Sequence, residues 1–261
     1  MTADSKHTIK TINPGKKTGM KTLFAIILLL MGLAMIAGYY LEKTSVISQI
    51  QFKGNHFTSL DELQNSIHSP VGLHPDSVNF MQLIESVNKL PYIKHTAISK
   101  GATGNITITV TEREPLALLI RDSRQVYFDE DGVKLPVILE KTVDVPIVYG
   151  FPVNPVSDTL KGNEFENVRD FIQEASKSDI GWITISEIAW NDREGVVALS
   201  YENGVKLLFG EQNFDTKIRY WEEFYSKIIK TKGIDTFERV DLRFRNQIVT
   251  HEKQTGNLAI Q

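Results

Sequence analysis

The sequence predicts an α+β protein: an N-terminal transmembrane helix, a small β-α-α-β-β domain, then a mostly antiparallel β domain with two amphipathic helices. Three observations carry that prediction. Twenty consecutive residues near the N-terminus lack any charge; two helix-period segments then sit between strand-period ones; and the remainder is mainly period-two segments marked by glycine turns.

The uncharged stretch runs from Thr22 to Leu41, "TLFAIILLLMGLAMIAGYYL". As a helix it is roughly 30 Å long, the thickness of bilayer hydrocarbon. Lys16, Lys17 and Lys21 precede it, whereas Glu42 and Lys43 cancel behind it. The positive-inside rule places residues 1–21 in the cytoplasm and everything after Leu41 outside, with Tyr39 and Tyr40 at the interface. A cleaved signal peptide is the competing reading. Its apolar core is normally shorter and ends at a small-x-small site, which Met35 and Ile36 spoil here. An uncleaved anchor over residues 22–41 fits better.

Beyond the span, "VISQIQFKGNHF" alternates Val46, Ile50 and Phe52 as a strand does. Ser59 and Glu62 form a capping-box pattern, opening a helix with Leu60, Leu63 and Ile67 on one face. Pro70, Gly72 and Pro75 break the chain before a second helix carrying Phe80, Leu83, Ile84, Val87 and Leu90. Pro91 ends it, "YIKHTAIS" is extended, and a Gly101–Gly104 turn leads to a strand with Ile106, Ile108 and Val110 inward. These elements make a domain over residues 44–114.

Residues 115–250 read mostly as strands. "PLALLI" and Gln125–Tyr127 precede an Asp131-Gly132 turn and Val133–Leu135. "DVPIVYGFP" is extended, and Phe165, Val168, Ile172 and Ala175 mark an amphipathic helix. "WITISEIAW" and "GVVALSYENGVKLLFG" supply three strands, the last two joined at Asn203-Gly204. Ile218, Trp221, Tyr225, Ile228 and Ile229 mark a second helix, with Asp215 as its expected cap. Phe237–Thr250, "FERVDLRFRNQIVT", reads as a final half-buried strand: Val240, Leu242 and Phe244 face one way, Arg239, Asp241, Arg243 and Arg245 the other. With few residues after it, that strand leaves an open edge, which proteins either blunt or use. Residues 251–261 read as a disordered tail.

Composition narrows the function classes. The chain has no cysteine, so disulfides, thiolate metal sites and a catalytic thiol are excluded. The net charge of −3 divides into about +4 before residue 22 and −7 after it, which argues against nucleic acid as a partner. No G-x-S-x-G, P-loop, H-E-x-x-H or dinucleotide-binding fingerprint occurs. His68 and His74 lack a third ligand, and Asn105-Ile106-Thr107 lies in a strand, where a glycosylation sequon is chance. No catalytic, metal or cofactor residue is assigned. Gly54, Gly132 and Gly204 read as turn residues.

The ordered set "V-x-x-I-x-F-x-G-N-x-x-x-S-x-x-E-L", "LPYIKHTAI" and "ITITVTEREPLA" resembles a POTRA domain, and more narrowly that of the FtsQ (DivIB) family of bacterial cell-division proteins. The matching positions are Gly54, Asn55, Pro91, Ala97, Val110, Glu112, Pro115 and Ala117. "YFDEDGV", "VPIVYG", "LLFG" and "VDLRF" extend the resemblance through the second domain. Two departures stand out: the Gly101–Gly104 segment lacks a tryptophan-proline pair, and Phe244 stands where a tyrosine is usual.

The resemblance implies a non-catalytic inner-membrane scaffold, single-pass and with its domains in the periplasm at the division septum. It implies binding of small single-span coiled-coil division proteins (FtsB/FtsL-like) and other division membrane proteins, with no small-molecule substrate. By that resemblance the partner contacts fall on Asp241, Arg243, Phe244, Arg245, Asn246, Gln247 and Ile248 of the last strand, through strand addition. Read from the residues alone, Phe244 equally suits core burial, Arg243 and Arg245 equally blunt an edge, and Asp241 equally pairs locally. Two other readings stay open: a membrane-anchored POTRA chaperone for exported polypeptides, and an anchored envelope enzyme that would need a polar cluster in a pocket.

Overall fold

The computed structural model describes residues 18–44, 46–101, 104–121, 124–150 and 159–253. The expected cytoplasmic tail lies outside the described residues up to position 17, as do Phe151 and Pro152 and the expected tail from position 254. Within that range the backbone forms two compact units. One comprises residues 18–51, 69–79 and 99–107; the other comprises 52–68, 80–98 and 108–253.

Helix α1 (Thr18–Thr44) contains the uncharged stretch. Leu23, Ile27, Leu30, Met35 and Tyr39 on it are all exposed. Residues Lys21–Tyr39 are long and apolar enough to cross a membrane. A helix apolar all round and unburied suits a hydrocarbon solvent.

The small domain has the order β1 (Gln49–Lys53), α2 (Leu60–Ser66), α3 (Phe80–Val87), β2 (Ile93–Lys100), β3 (Asn105–Glu112), with sheet order β1-β3-β2. Ser59 and Glu62 make both bonds of the capping box, so α2 starts where the sequence says. Ile106, Ile108 and Val110 are all buried, as their alternation requires. One expectation fails at the entrance. Val46 is 48% exposed, whereas its neighbour Ile47 is 1% exposed. The strand begins only at Gln49, and Ile47 and Ser48 are held by backbone bonds to Gly72, Leu73 and Gly104 instead of following strand alternation.

The second sheet has nine strands: β4 (Ala117–Arg121), β5 (Arg124–Phe128), β6 (Lys134–Pro136), β7 (Ile147–Tyr149), β8 (Ile185–Asn191), β9 (Gly195–Ser200), β10 (Lys206–Gly210), β11 (Phe237–Asp241) and β12 (Val249–Glu252). Their order is β12-β11-β10-β9-β8-β7-β4-β5-β6. Most joints are antiparallel, but β10–β11, β4–β7 and β7–β8 are parallel. Parallel neighbours need a crossover; the two amphipathic helices supply it for β7–β8 and β10–β11, while β5 and β6 lie in the connection from β4 to β7. Helix α4 (Asn163–Ser176) lies between β7 and β8 in the chain, and α6 (Phe214–Phe224) between β10 and β11. Phe165, Val168, Phe171 and Ile172 of α4 and Ile218 and Trp221 of α6 share one core with Val196, Ala198, Leu207, Phe209 and Val240 of the sheet.

Three local expectations are corrected. Trp182-Ile183-Thr184 is not strand but the end of α5 (Asp179–Thr184), whose first turn is capped by Ser178 Oγ accepting from the Gly181 amide. Asp215 is not a cap; Asn213 takes that position in the left-handed region, without a side-chain capping bond. The last helix also widens after α6 into a π-helical turn over Tyr225–Ile229, before α7 (Lys230–Lys232).

The turn after β1 is tied down within the larger unit. Glu112 accepts from three consecutive amides, His56, Phe57 and Thr58, each at 2.7 Å. Phe57 stacks on Tyr92 at 4.5 Å between centroids, and the Tyr92 hydroxyl donates to the Pro136 carbonyl at 2.6 Å. Burial pushes that hydroxyl up to about 12, with Tyr127 and Glu112 adding to the effect, so it stays a donor at neutral pH. Lys141 Nζ donates to the Phe57 carbonyl at 2.9 Å, and Arg113 pairs with buried Asp129 at 2.6 Å.

Candidate interaction surface

The C-terminal stretch was expected as one strand over Phe237–Thr250. It is two strands and a turn. Phe237 and Val240 enter the core from β11, and the Leu242 amide still donates to the Leu208 carbonyl at 2.9 Å. The chain then leaves the sheet and turns at Asn246, whose φ is 60°. Asparagine tolerates that left-handed conformation, and the Tyr220 hydroxyl donates to its Oδ1 at 3.1 Å. β12 returns antiparallel to β11, pairing Val249 with Asp241 and Thr250 with Val240. β12 extends to Glu252, so the chain is ordered into a strand past residue 250.

β12 is therefore the terminal strand at one end of the sheet, and β6 at the other. The β6 end is short and covered: it has three residues, ends in Pro136, and the Pro136 carbonyl is taken by Tyr92. The β12 end is bare among the described residues. The Lys253 amide donates inward to the Thr236 carbonyl at 2.9 Å. Backbone groups alternate along a strand, so those of His251 face β11 while those of Thr250 and Glu252 face outward. The edge carries some blunting: Glu252 pairs with Lys232 at 3.2 Å, and Arg239 contacts His251 at 2.6 Å across the strands.

The seven residues singled out in the sequence separate into inward and outward sets. Asp241 is 3% exposed and held by Arg243 through Nε at 2.9 Å, Nη2 at 2.6 Å and the backbone amide at 3.1 Å. Burial alone would push the Asp241 carboxyl up, but the Arg243 bonds outweigh it and hold it below the ordinary value. Arg243 thus has its charge answered within its own chain. Ile248 packs against the core. Phe244 is 44% exposed, and Arg245, Asn246 and Gln247 are exposed with it.

A groove of about 450 Å³ runs beside this turn, lined by Lys217, Tyr220, Arg243, Phe244 and Arg245 among others. Lys217 is nearly buried on α6 and donates to the Phe209 carbonyl. Burial, and then the Arg243 charge, pull its pKa below the ordinary lysine value. The groove offers positive charge and aromatic edges, suited to an acidic, partly apolar polypeptide. Sequence reasoning missed Lys217, Tyr220 and β12 itself. The only signal was the β-branched run Ile248-Val249-Thr250 following Asn246.

The Asp241–Arg243 pair makes a pH-dependent prediction. A depressed carboxyl contributes stability that is complete above the unfolded-state value, about 3.9, and is lost as pH falls through the folded-state value. Asp241→Asn is expected to cost about 1–2 kcal/mol at neutral pH and to flatten the acid limb of stability. Urea unfolding across pH checks both.

The family described as "FtsQ/DivIB, C-terminal related" matches residues 114–251, more than half of the chain. The chain belongs to the FtsQ/DivIB family. A second match, "POTRA domain, FtsQ-type", covers residues 45–113, so the β-α-α-β-β domain is a POTRA domain. The Cell division protein FtsQ of Rhodothermus marinus is 25% identical, over 95% of this chain and 93% of that protein. The Cell division protein FtsQ of Salinibacter ruber is 23% identical, over 84% and 87%. A solved extracytoplasmic domain of the cell-division protein DivIB from Geobacillus stearothermophilus is 15% identical, covers 46% of this chain and 97% of its own, and overlays at a TM-score of 0.31. That overlay is too loose to bear on geometry. In this FtsQ/DivIB-family protein, the groove and β12 up to His251 lie inside the family-matched C-terminal region.

Proposed function

We propose that this protein is a non-catalytic, single-pass scaffold of the division machinery. It is anchored by α1 with its N-terminus in the cytoplasm and its domains in the periplasm, at the division septum. It captures an FtsB/FtsL-like partner by adding a partner strand to β12. The observation that carries this reading is the β12 edge, flanked by exposed Phe244 and the basic groove, at the end of the sheet left uncovered among the described residues. Backbone pairing supplies affinity, Phe244 an apolar anchor, and exposed Arg245 the complement to an acidic partner. Confinement to one membrane raises the effective concentration of both proteins.

Phe244→Glu is expected to weaken partner capture about 5- to 20-fold, the size of a modest interface anchor, and to leave stability within about 1 kcal/mol because the ring is half out of the fold. Photo-crosslinking from position 244 in living cells tests the reading as a whole. An adduct with a small single-span coiled-coil protein supports it. Heterogeneous adducts with exported polypeptides favour a POTRA chaperone instead.

A further inference from the structure

We propose that the loop between α2 and α3 seats its apolar tip, Val71 and Leu73, together with Val46, in the outer interface of the lipid bilayer. All three side chains stand about half exposed: Val46 48%, Val71 49% and Leu73 50%. They are brought together by a clamp on one residue. The Ile47 amide donates to the Leu73 carbonyl at 2.9 Å, and the Gly72 amide donates back to the Ile47 carbonyl at 2.8 Å. Ile47 is itself buried, and the next amide, Ser48, is held by the Gly104 carbonyl at 3.0 Å. The clamp explains why Val46 is turned out where strand alternation would bury it.

Chain length fixes where this cluster must lie. Helix α1 ends at Thr44, so three residue-to-residue steps separate its end from Ile47. Fully extended they span about 10 Å, and the helical residues after Leu41 add only about 5 Å. The clamp therefore stays within about 15 Å of the hydrocarbon boundary, close to the headgroup layer, which is itself roughly 5–8 Å thick. The loop is composed for that place: over residues 69–79 its only charged side chain is Asp76, whose amide donates to His74 Nδ1 at 3.2 Å. Exposed aliphatic groups tethered within this reach of the bilayer gain by burying in its interface. A seated loop gives the POTRA domain a second membrane contact besides the span, which restricts how far it can tilt.

This inference rests on α1 being a membrane span, and the test separates the two. The chain has no cysteine, so single cysteines at Leu73, Leu30 and Tyr201 can each carry a nitroxide in the full-length protein. The protein is placed in vesicles of phosphatidylethanolamine and phosphatidylglycerol. Collision with oxygen relative to a water-soluble nickel chelate reports depth. The expected result is a ratio at position 73 several-fold above that at position 201, which is 74% exposed, and below that at position 30. A ratio at 73 equal to that at 201, with position 30 reading hydrocarbon, overturns the inference while leaving the span intact. Shielding of position 73 from both reagents means that protein covers the tip, and overturns it too. Position 30 reading water removes the span and the inference together.

Discussion

Full-length protein carrying Thr250→Pro is expected to fold normally and to lose partner capture by about 10- to 100-fold. Proline deletes one backbone donor, and in β12 that donor points outward, away from β11 (the inward register is set by the Lys253 amide on the Thr236 carbonyl). Edge strands accept proline where the N–H faces solvent, so the β11–β12 ladder survives. A partner strand would lose one backbone bond and meet the pyrrolidine ring, a loss of about 1–3 kcal/mol. His251→Pro is the companion variant. Its amide faces β11, so it should loosen β12, lower stability and lose capture as well. Affinity for the proposed FtsB/FtsL-like partner, measured beside a thermal unfolding curve for each variant, separates the two effects. Full affinity in a folded Thr250→Pro protein would remove strand addition at this edge.

The largest expected loss of stability follows Glu112→Ala, about 2–4 kcal/mol. One carboxylate satisfies three consecutive amides at 2.7 Å, and Thr58 is 5% exposed, so water cannot readily replace it. Charge-assisted bonds are stronger than neutral ones, and a buried amide left without an acceptor costs its desolvation. The damage should spread along a known path. The same turn carries Phe57, stacked on Tyr92, and the Phe57 carbonyl that holds Lys141. Glu112→Gln should recover only part of the loss, because its amide group would face donors. Urea unfolding of the full-length protein in detergent gives the size. Faster amide exchange at residues 56–58 shows the location.

Much of the fold could be read from the sequence because local and global signals agree. Ser59 and Glu62 cap α2, Ile106, Ile108 and Val110 enter a core together, and Phe165, Val168, Ile172 and Ala175 cover one helix face. The span needed only length and charge. Where the reading failed, two structures share one pattern. Alternation through Val240, Leu242 and Phe244 continues past the end of β11, yet Asn246 takes a left-handed turn and divides the stretch in two. Trp182 and Ile183 have strand-forming side chains, but the Ser178 cap draws them into α5. Nor can a sequence show that Asp241 spends its charge on Arg243, or that Lys217 from a distant helix lines the same groove as Arg245. The Lys217 placement is long-range, set by the β10–β11 crossover, and periodicity carries no information about it. Asp241 and Arg243 already share a face in the sequence pattern, which allows their pairing without deciding it.

The central claim is that a partner adds a strand to β12. Residue-resolved hydrogen exchange at Thr250 and Glu252, in full-length protein with and without the FtsB/FtsL-like complex, tests it most directly. Strand addition predicts that these two outward amides slow by at least about tenfold on binding, while the His251 amide, already paired inward, changes little. A complex that forms with both outward amides exchanging as fast as before, and protection appearing elsewhere, would contradict it.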